Sequence, residues 1–300
     1  MEPTLMTSSM RYWRMAPDPR LRPHVLCYFL ARPSRGEALS QEDELLLPDG
    51  HSEIVFHLDG AFERWQLGGA AGRQVMRRSY VIGSRSRSVL TRDLGPVTVA
   101  GIKLDPRALR WLLGIPLTEL RDSTVTFDEL GQPGLVQLEH AVAGAPSASD
   151  VVAALDRYLL HALGDLPPAD AAVDQLLRRI RSSRGALAIM EWVRERRVDA
   201  RHLERRFADA VGMTPKRYAR IVRFKHGYHA LLAGAARPAS SRGPLAVPHR
   251  HLDGFYDQSH FNKEFRAFIG APPSARLRAT LSQAMSISDH LLAGELSSDL

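Results

Sequence analysis

Two hydrophobic periods divide this chain. Between Tyr12 and Leu104 apolar and polar residues alternate in short segments, the period of a strand whose successive side chains point to opposite faces. Ser52–Leu58 sets Ile54, Phe56 and Leu58 against Glu53, Val55 and His57, while Tyr80–Ile82 and Val97–Leu104 add β-branched strand formers. Turn residues at Pro48-Asp49-Gly50, Asp59-Gly60, Gly68-Gly69 and Gly95-Pro96 break the run, which predicts a β-sandwich or small barrel. Asp105–Leu113 reads as a helix capped by Asp105, started by Pro106 and ended at Gly114.

From residue 145 the period becomes helical. Ala145–Ser149 reads as a linker, with Asp150 capping a helix Val151–Leu163 that Gly164–Pro168 ends. Its stripe of Val151, Leu155, Tyr158, Leu159 and Ala162 buries either against the N-terminal half or against a second copy of the chain, so a homodimer stays open. Gly185–Arg194 holds helix formers, with Leu187, Met190 and Val193 or Trp192 able to face inward. Thr214-Pro215 opens a long helix carrying Tyr218, Ile221, Val222, Tyr228, Leu231 and Leu232 at helical spacing.

Within this helical half one pattern occurs twice. Asp199, His202, Leu203, Arg205, Phe207, Gly212 and Pro215 recur 58 positions later as Asp257, His260, Phe261, Lys263, Phe265, Gly270 and Pro273. Each copy opens on a carboxylate that can cap helix N–H groups and closes on a Gly suited to a left-handed residue. At 100° per residue Leu203, Phe207 and Ala210 form an apolar stripe in the first copy, as Phe261, Phe265 and Phe268 do in the second. The faces left outward carry Arg201, Arg205 and Ala208, flanked by His202 and Glu204, and then Ser259, Lys263 and Arg266, beside Asn262 and His260. Cationic, amide and hydroxyl groups of this kind suit base edges and phosphates.

Charge follows the repeat. Residues 170–280 hold 22 Lys and Arg against 10 Asp and Glu, a net of +12, so the whole-chain value of +7 leaves −5 elsewhere. A basic part joined to a mildly acidic part points to a nucleic acid, such as double-stranded DNA, as partner of the basic one.

The runs Arg201–Phe207, Gly212–Phe224, Gly254–Arg266 and Gly270–Ser274 resemble the C-terminal DNA-binding domain of AraC/XylS-type transcription regulators over about residues 170 to 280. The resemblance implies an all-α domain with two helix-turn-helix units, their recognition helices in successive major grooves about 34 Å apart. It implies base-facing roles for Arg201, Glu204 and Arg205 and for Ser259, Asn262 and Lys263. The DNA-binding set is completed by His202, Lys216, Arg217, His260 and Arg266. The first turn carries Arg196-Arg197 where that family commonly has Gly, so a strained positive φ is expected there. Pro248, in the stretch Leu245–Tyr256 that should support the second recognition helix, would end or kink a helix.

Leu45–Phe56, followed by Val81–Arg85, resembles an N-terminal domain found in a subgroup of these regulators whose ligand is generally unassigned. The fold class expected is therefore α+β: a β-rich, cupin-like barrel or sandwich domain, then helices, then the all-α double helix-turn-helix domain. The boundaries are 1–144 for the regulatory domain, 145–168 for a helical connector, 169–282 for DNA binding and 283–300 for a tail. A small-molecule effector is expected for the first domain. Arg85 and Arg87 are candidates to bind an anionic one, against the plainer reading of a surface loop.

Other chemistries fit less well. His51, Glu53 and His57 are all odd-numbered and would share a strand face as metal ligands do, but the two histidines are six apart, no His-x-His occurs between Tyr12 and Leu104, and polar outer faces are common. No metal or cofactor is therefore assigned. Cys27 stands alone, which excludes an intramolecular disulfide and the paired cysteines of DNA-repair alkyltransferases; it reads as a small buried apolar residue. No phosphate loop, G-x-S-x-G elbow or His-Glu-x-x-His occurs, so no enzyme is expected. No stretch approaches 18 apolar residues and the N-terminus lacks the order of a secretion signal, so the chain reads as cytoplasmic and without a membrane partner. Two alternatives stay open: a metal-dependent cupin-type enzyme fused to a DNA-binding module, and a nonspecific DNA-binding protein whose second unit has decayed.

Overall fold

The computed structural model describes residues 5–6, 10–33, 43–68, 72–164, 170–235 and 255–273. Its N-terminal half is built from two antiparallel sheets, as the period-two pattern predicts. The larger runs in the order β1 (Leu5–Met6), β2 (Met10–Met15), β3 (Val25–Pro33), β10 (Thr98–Leu104), β5 (Ser52–Asp59), β8 (Tyr80–Ile82), β11 (Thr124–Thr126). The smaller runs β4 (Glu44–Leu46), β9 (Val89–Asp93), β6 (Phe62–Gln66), β7 (Gln74–Met76). Helices α1 (Pro106–Leu113), α2 (Phe127–Leu130), α3 (Pro133–Ala143) and α4 (Ala148–Ala162) follow, then α5 (Ala171–Ser182), α6 (Ile189–Glu195), α7 (Ala200–Val211), α8 (Pro215–Ala235) and α9 (Gln258–Ile269). The fold is mixed α+β, antiparallel sheets first and helices after.

The large sheet is covered on both faces. Ile54 and Phe56 of β5 join Ala100, Ile102 and Leu104 of β10 in a core shared with Leu109 of α1, Leu138 of α3 and Val151, Leu155 and Leu159 of α4. The alternate residues Glu53, Val55, Val99 and Lys103 line a cavity between the two sheets. The polar alternates of β5 therefore face inward and not toward an outer, solvated face, because the second sheet folds over them. The stripe on α4 is buried against its own N-terminal half, where Asp156 accepts from the Tyr28 hydroxyl at 2.7 Å and the Asp18 amide at 3.0 Å. Ala162 of that stripe is exposed. The cap is Ser147, which accepts from the amide of Asp150, so the helix starts earlier than expected and Asp150 lies in its first turn.

In the second half α8 follows the sequence expectation. Thr214 Oγ1 accepts the Arg217 amide at its start, and Tyr218, Ile221, Val222, Tyr228 and Leu231 are buried. Helix α6 is shorter than the stretch Gly185–Arg194 suggested. Gly185 sits at φ 77°, where a Cβ would lie 2.2 Å from the Ala219 carbonyl oxygen, so this Gly serves a turn pressed against α8 instead of a helix. As a result Met190, expected inward, is 55% exposed, while Trp192 and Val193 are buried. Arg197 takes φ 53°, the strained turn anticipated from the missing Gly. Helix α5, capped by Asp170, was not delimited from sequence; it contributes Val173, Leu176, Leu177 and Ile180 to the core.

The two halves are joined by packing. Leu45 and Leu47 belong to the same core as Phe207, Phe224, Phe261 and Phe265. Arg107 bridges Asp105 and Asp174, and Arg181 reaches Asp105 at 2.8 Å. Residues 245–254, Pro248 among them, and 283–300 lie outside the described residues. Among those described, no helix is long and apolar enough to cross a membrane.

Candidate nucleic-acid interface and barrel cavity

The repeated pattern folds into the same helix twice. In α7, Asp199 Oδ1 accepts the His202 amide at 2.6 Å and Gly212 ends the helix at φ 84°. In α9, Asp257 Oδ1 accepts the His260 amide at 2.7 Å and Gly270 ends it at φ 80°. Both glycines return their N–H to the carbonyl four residues back, that of Ala208 or of Arg266. Leu203, Phe207 and Val211 are buried under α7, and Phe261, Phe265, Phe268 and Ile269 under α9. Buried Glu264 pairs with Arg220 and ties α9 to α8.

The structure leaves Arg201, His202, Glu204 and Arg205 exposed on α7, and Ser259, Asn262, Lys263 and Arg266 exposed on α9. Arg205 Nη2 lies 3.0 Å from His202 Nδ1. Gln258 donates to Asn262 Oδ1 at 3.0 Å, which fixes that amide with its NH2 group directed elsewhere. His260 is half-buried, its Nδ1 accepting the Tyr256 amide at 3.2 Å. Lys216 is exposed at the start of α8. Arg217 is turned onto the N-terminal half, donating to the Ser86 carbonyl at 3.3 Å.

That carbonyl belongs to a segment whose arginines were singled out in the sequence but whose serines were not. Ser84, Ser86 and Ser88 alternate with Arg85 and Arg87; the outer two serines face the helices, while the Ser86 hydroxyl turns to Asp122. Ser84 Oγ donates to the carbonyl of Val211 at the end of α7, and Ser88 Oγ donates to the carbonyl of Phe268 near the end of α9. The last carbonyls of a helix have no intrahelical partner, so each serine satisfies one. Asp122 holds the segment from behind, accepting the Ser86 amide at 2.6 Å. The alternation Ser-Arg-Ser-Arg-Ser was the available signal.

Arg85 points the other way, into the cavity of about 140 Å3 between the sheets. It is 4% exposed, so the surface-loop reading of this residue is corrected; Arg87 is exposed. Arg85 Nη2 donates to Glu53 Oε1 at 2.7 Å, while its Nε and Nη1 have no hydrogen-bond partner. Lys103 is buried between Asp49 and Glu53. Burial opposes the charge on Asp49, but Lys103 and then His51 outweigh it and hold the carboxyl well below its usual range. Burial likewise opposes the Lys103 ammonium, and Asp49 and Glu53 raise its pKa in spite of it. Arg64 completes a cationic end, and Phe29, Val55, Phe62 and Val99 supply apolar wall. At Glu44 and Asp93 the lining is acidic, and burial pushes Asp93 up to about 6.

His51, Glu53 and His57 do not converge. His51 precedes β5 and its imidazole is lowered by burial to about 4; Glu53 is taken by Arg85 and Lys103; His57 Nε2 lies 2.9 Å from the Gly60 carbonyl oxygen and its ring stacks on Phe62. Among the described residues no group of three His, Cys, Asp or Glu is placed to hold a metal ion. Cys27 is buried, and that burial raises its thiol pKa.

A family model described as a domain of unknown function (DUF6597) matches residues 13–126. No curated protein matches the chain. Among solved structures, ectoine synthase from P. lautus is similar at 12% identity over 33% of this chain and 67% of that one, with a TM-score of 0.26. KdgF from Halomonas sp. is similar at 13% identity over 35% and 87%, TM-score 0.25. Vicilin from Solanum lycopersicum is similar at 13% identity over 35% and 30%, TM-score 0.27.

Proposed function

We propose that this chain is a sequence-specific DNA-binding transcription regulator, read by two helix-turn-helix units and modulated by its N-terminal domain. The observation that carries the reading is the duplicated helix: the same Asp cap, apolar underside and left-handed Gly at α7 and α9, each leaving a cationic and polar face to solvent. The local charge of +12 over residues 170–280 and the resemblance to AraC/XylS-type regulators support it. Arg201, Arg205 and Lys263 are suited to guanine O6 and N7, Asn262 to adenine, and Lys216 to phosphate. Arg217 joins Lys216 once released from Ser86. The cavity between the sheets is the effector site.

The test is fluorescence anisotropy of a labelled duplex across a salt series. Neutralisation of several phosphates predicts a fall in affinity of about 10³-fold or more between 50 and 200 mM salt. Absence of binding at 50 mM salt would overturn the proposal.

A further inference from the structure

Arg85 is held at one end by Glu53 and keeps two guanidinium nitrogens without a partner, inside an otherwise largely apolar cavity. An unsatisfied, buried cationic donor is unfavourable in an empty site, and an anionic acceptor relieves it. The lining as a whole is balanced, Arg64, Arg85 and Lys103 against Glu44, Glu53 and Asp93, but beside Arg85 the cations outnumber the carboxylates, since Glu53 and, behind Lys103, Asp49 are the acids paired there. The acidic lining at Glu44 and Asp93 repels a second anionic group. Volume sets the size, since a cavity near 150 Å3 accommodates a molecule of roughly benzene dimensions.

We propose that the cavity takes a small monocarboxylate with an apolar body of about six carbons, its carboxylate on the free nitrogens of Arg85, and that occupancy is read directly by the two repeat helices. The readout is built into neighbouring residues. Ser84 and Ser88, on either side of Arg85, hold the ends of α7 and α9, and the carbonyl of Ser86 holds Arg217 at the start of α8. A ligand that reseats Arg85 acts on all three attachments at once. The naming of α7 and α9 as DNA readers rests on the regulator proposal, whereas the carboxylate site does not.

The experiment therefore uses the full chain without DNA. Thermal melting is recorded with hexanoate, with its neutral isostere hexanamide and with the dicarboxylate adipate, and amide hydrogen exchange is followed at Gly212 and Gly270. Hexanoate is expected to raise the melting temperature more than either analogue and to change exchange at both glycines. Arg85→Gln is expected to weaken hexanoate at least tenfold. Equal effects of hexanoate and hexanamide, or none from hexanoate, would overturn the carboxylate site, and this comparison holds whether or not the variant folds. Stabilisation by hexanoate with exchange unchanged at both glycines would overturn the readout. Loss of DNA binding with these results intact would sink only the regulator reading.

Discussion

Ser84 Oγ donates to the backbone carbonyl of Val211, so the final turn of α7 is completed by a residue 127 positions earlier in the chain. Ser88 does the same for Phe268 near the end of α9. Both repeat helices thus end against one short stretch of the β-rich half.

Removing either hydroxyl leaves a buried carbonyl one partner short. Ser84→Ala and Ser88→Ala are each expected to lower stability by about 1–3 kcal/mol. Urea unfolding followed by tryptophan fluorescence checks this, and unchanged midpoints in both variants would show that the contacts contribute nothing.

The glycines at these ends separate backbone strain from crowding. Gly212→Ala and Gly270→Ala both force a left-handed alanine, costing about 1–2 kcal/mol. A Cβ at Gly212 would also lie 3.1 Å from the rigid Leu117 carbonyl oxygen, whereas at Gly270 it meets only side-chain carbons of Leu67. Gly212→Ala should be the more destabilising in the same denaturation assay; the reverse order would contradict the packing described.

The two caps make the same hydrogen bond, Oδ1 accepting the amide three residues on, although Asp199 (φ −66°, ψ 118°) and Asp257 (φ −158°, ψ −179°) hold different backbone conformations. Asp199→Ala and Asp257→Ala should each lose about 0.5–2 kcal/mol, with Asp199→Asn and Asp257→Asn restoring most of it. Differential scanning calorimetry of the four variants is sufficient, and failure of the Asn variants to recover would point away from capping.

Acid should destabilise the fold before ordinary carboxylates titrate. Burial lowers His229 to about 3 and His51 to about 4, so below pH 6.5 the unfolded chain binds two protons that the folded chain refuses. Asp93, raised to about 6 by burial, works in the opposite sense between pH 6 and 4. His24, also lowered by burial, adds to the histidine side, so stability falls as the pH drops from 6.5 toward 4.5. Replacing His229 by Leu should flatten that slope in urea titrations at pH 7, 6 and 5, and an unaltered slope would remove His229 from the account.

On the proposed interface the roles of Arg205 and Lys216 differ. Arg205→Ala should cost about 1–3 kcal/mol and relax discrimination at one base pair, while Lys216→Ala should weaken all sequences alike. Competition binding with single-site operator variants distinguishes them, and equal, sequence-blind losses would strip Arg205 of a base-reading role.

Much of the helical half was legible because its signals are local. Caps, left-handed glycines and the apolar stripes of α7, α8 and α9 all sit within a few residues of one another. The strands β5, β8 and β10 and helix α1 were readable for the same reason. What stayed hidden depends on contacts distant in sequence. Nothing near Glu53 announces that the second sheet covers it, and Gly185 turns because α8 lies against it. Ser84 and Ser88 took on meaning only when residues 127 and 180 positions away were brought beside them.

The claim that two helices read one DNA site is tested most directly by selecting from a random duplex pool with the full chain at physiological salt. The account predicts enrichment of a bipartite motif, two elements about 10 base pairs apart centre to centre. Asn262→Ala should erase information from one element only. Robust binding without any enriched motif would contradict it.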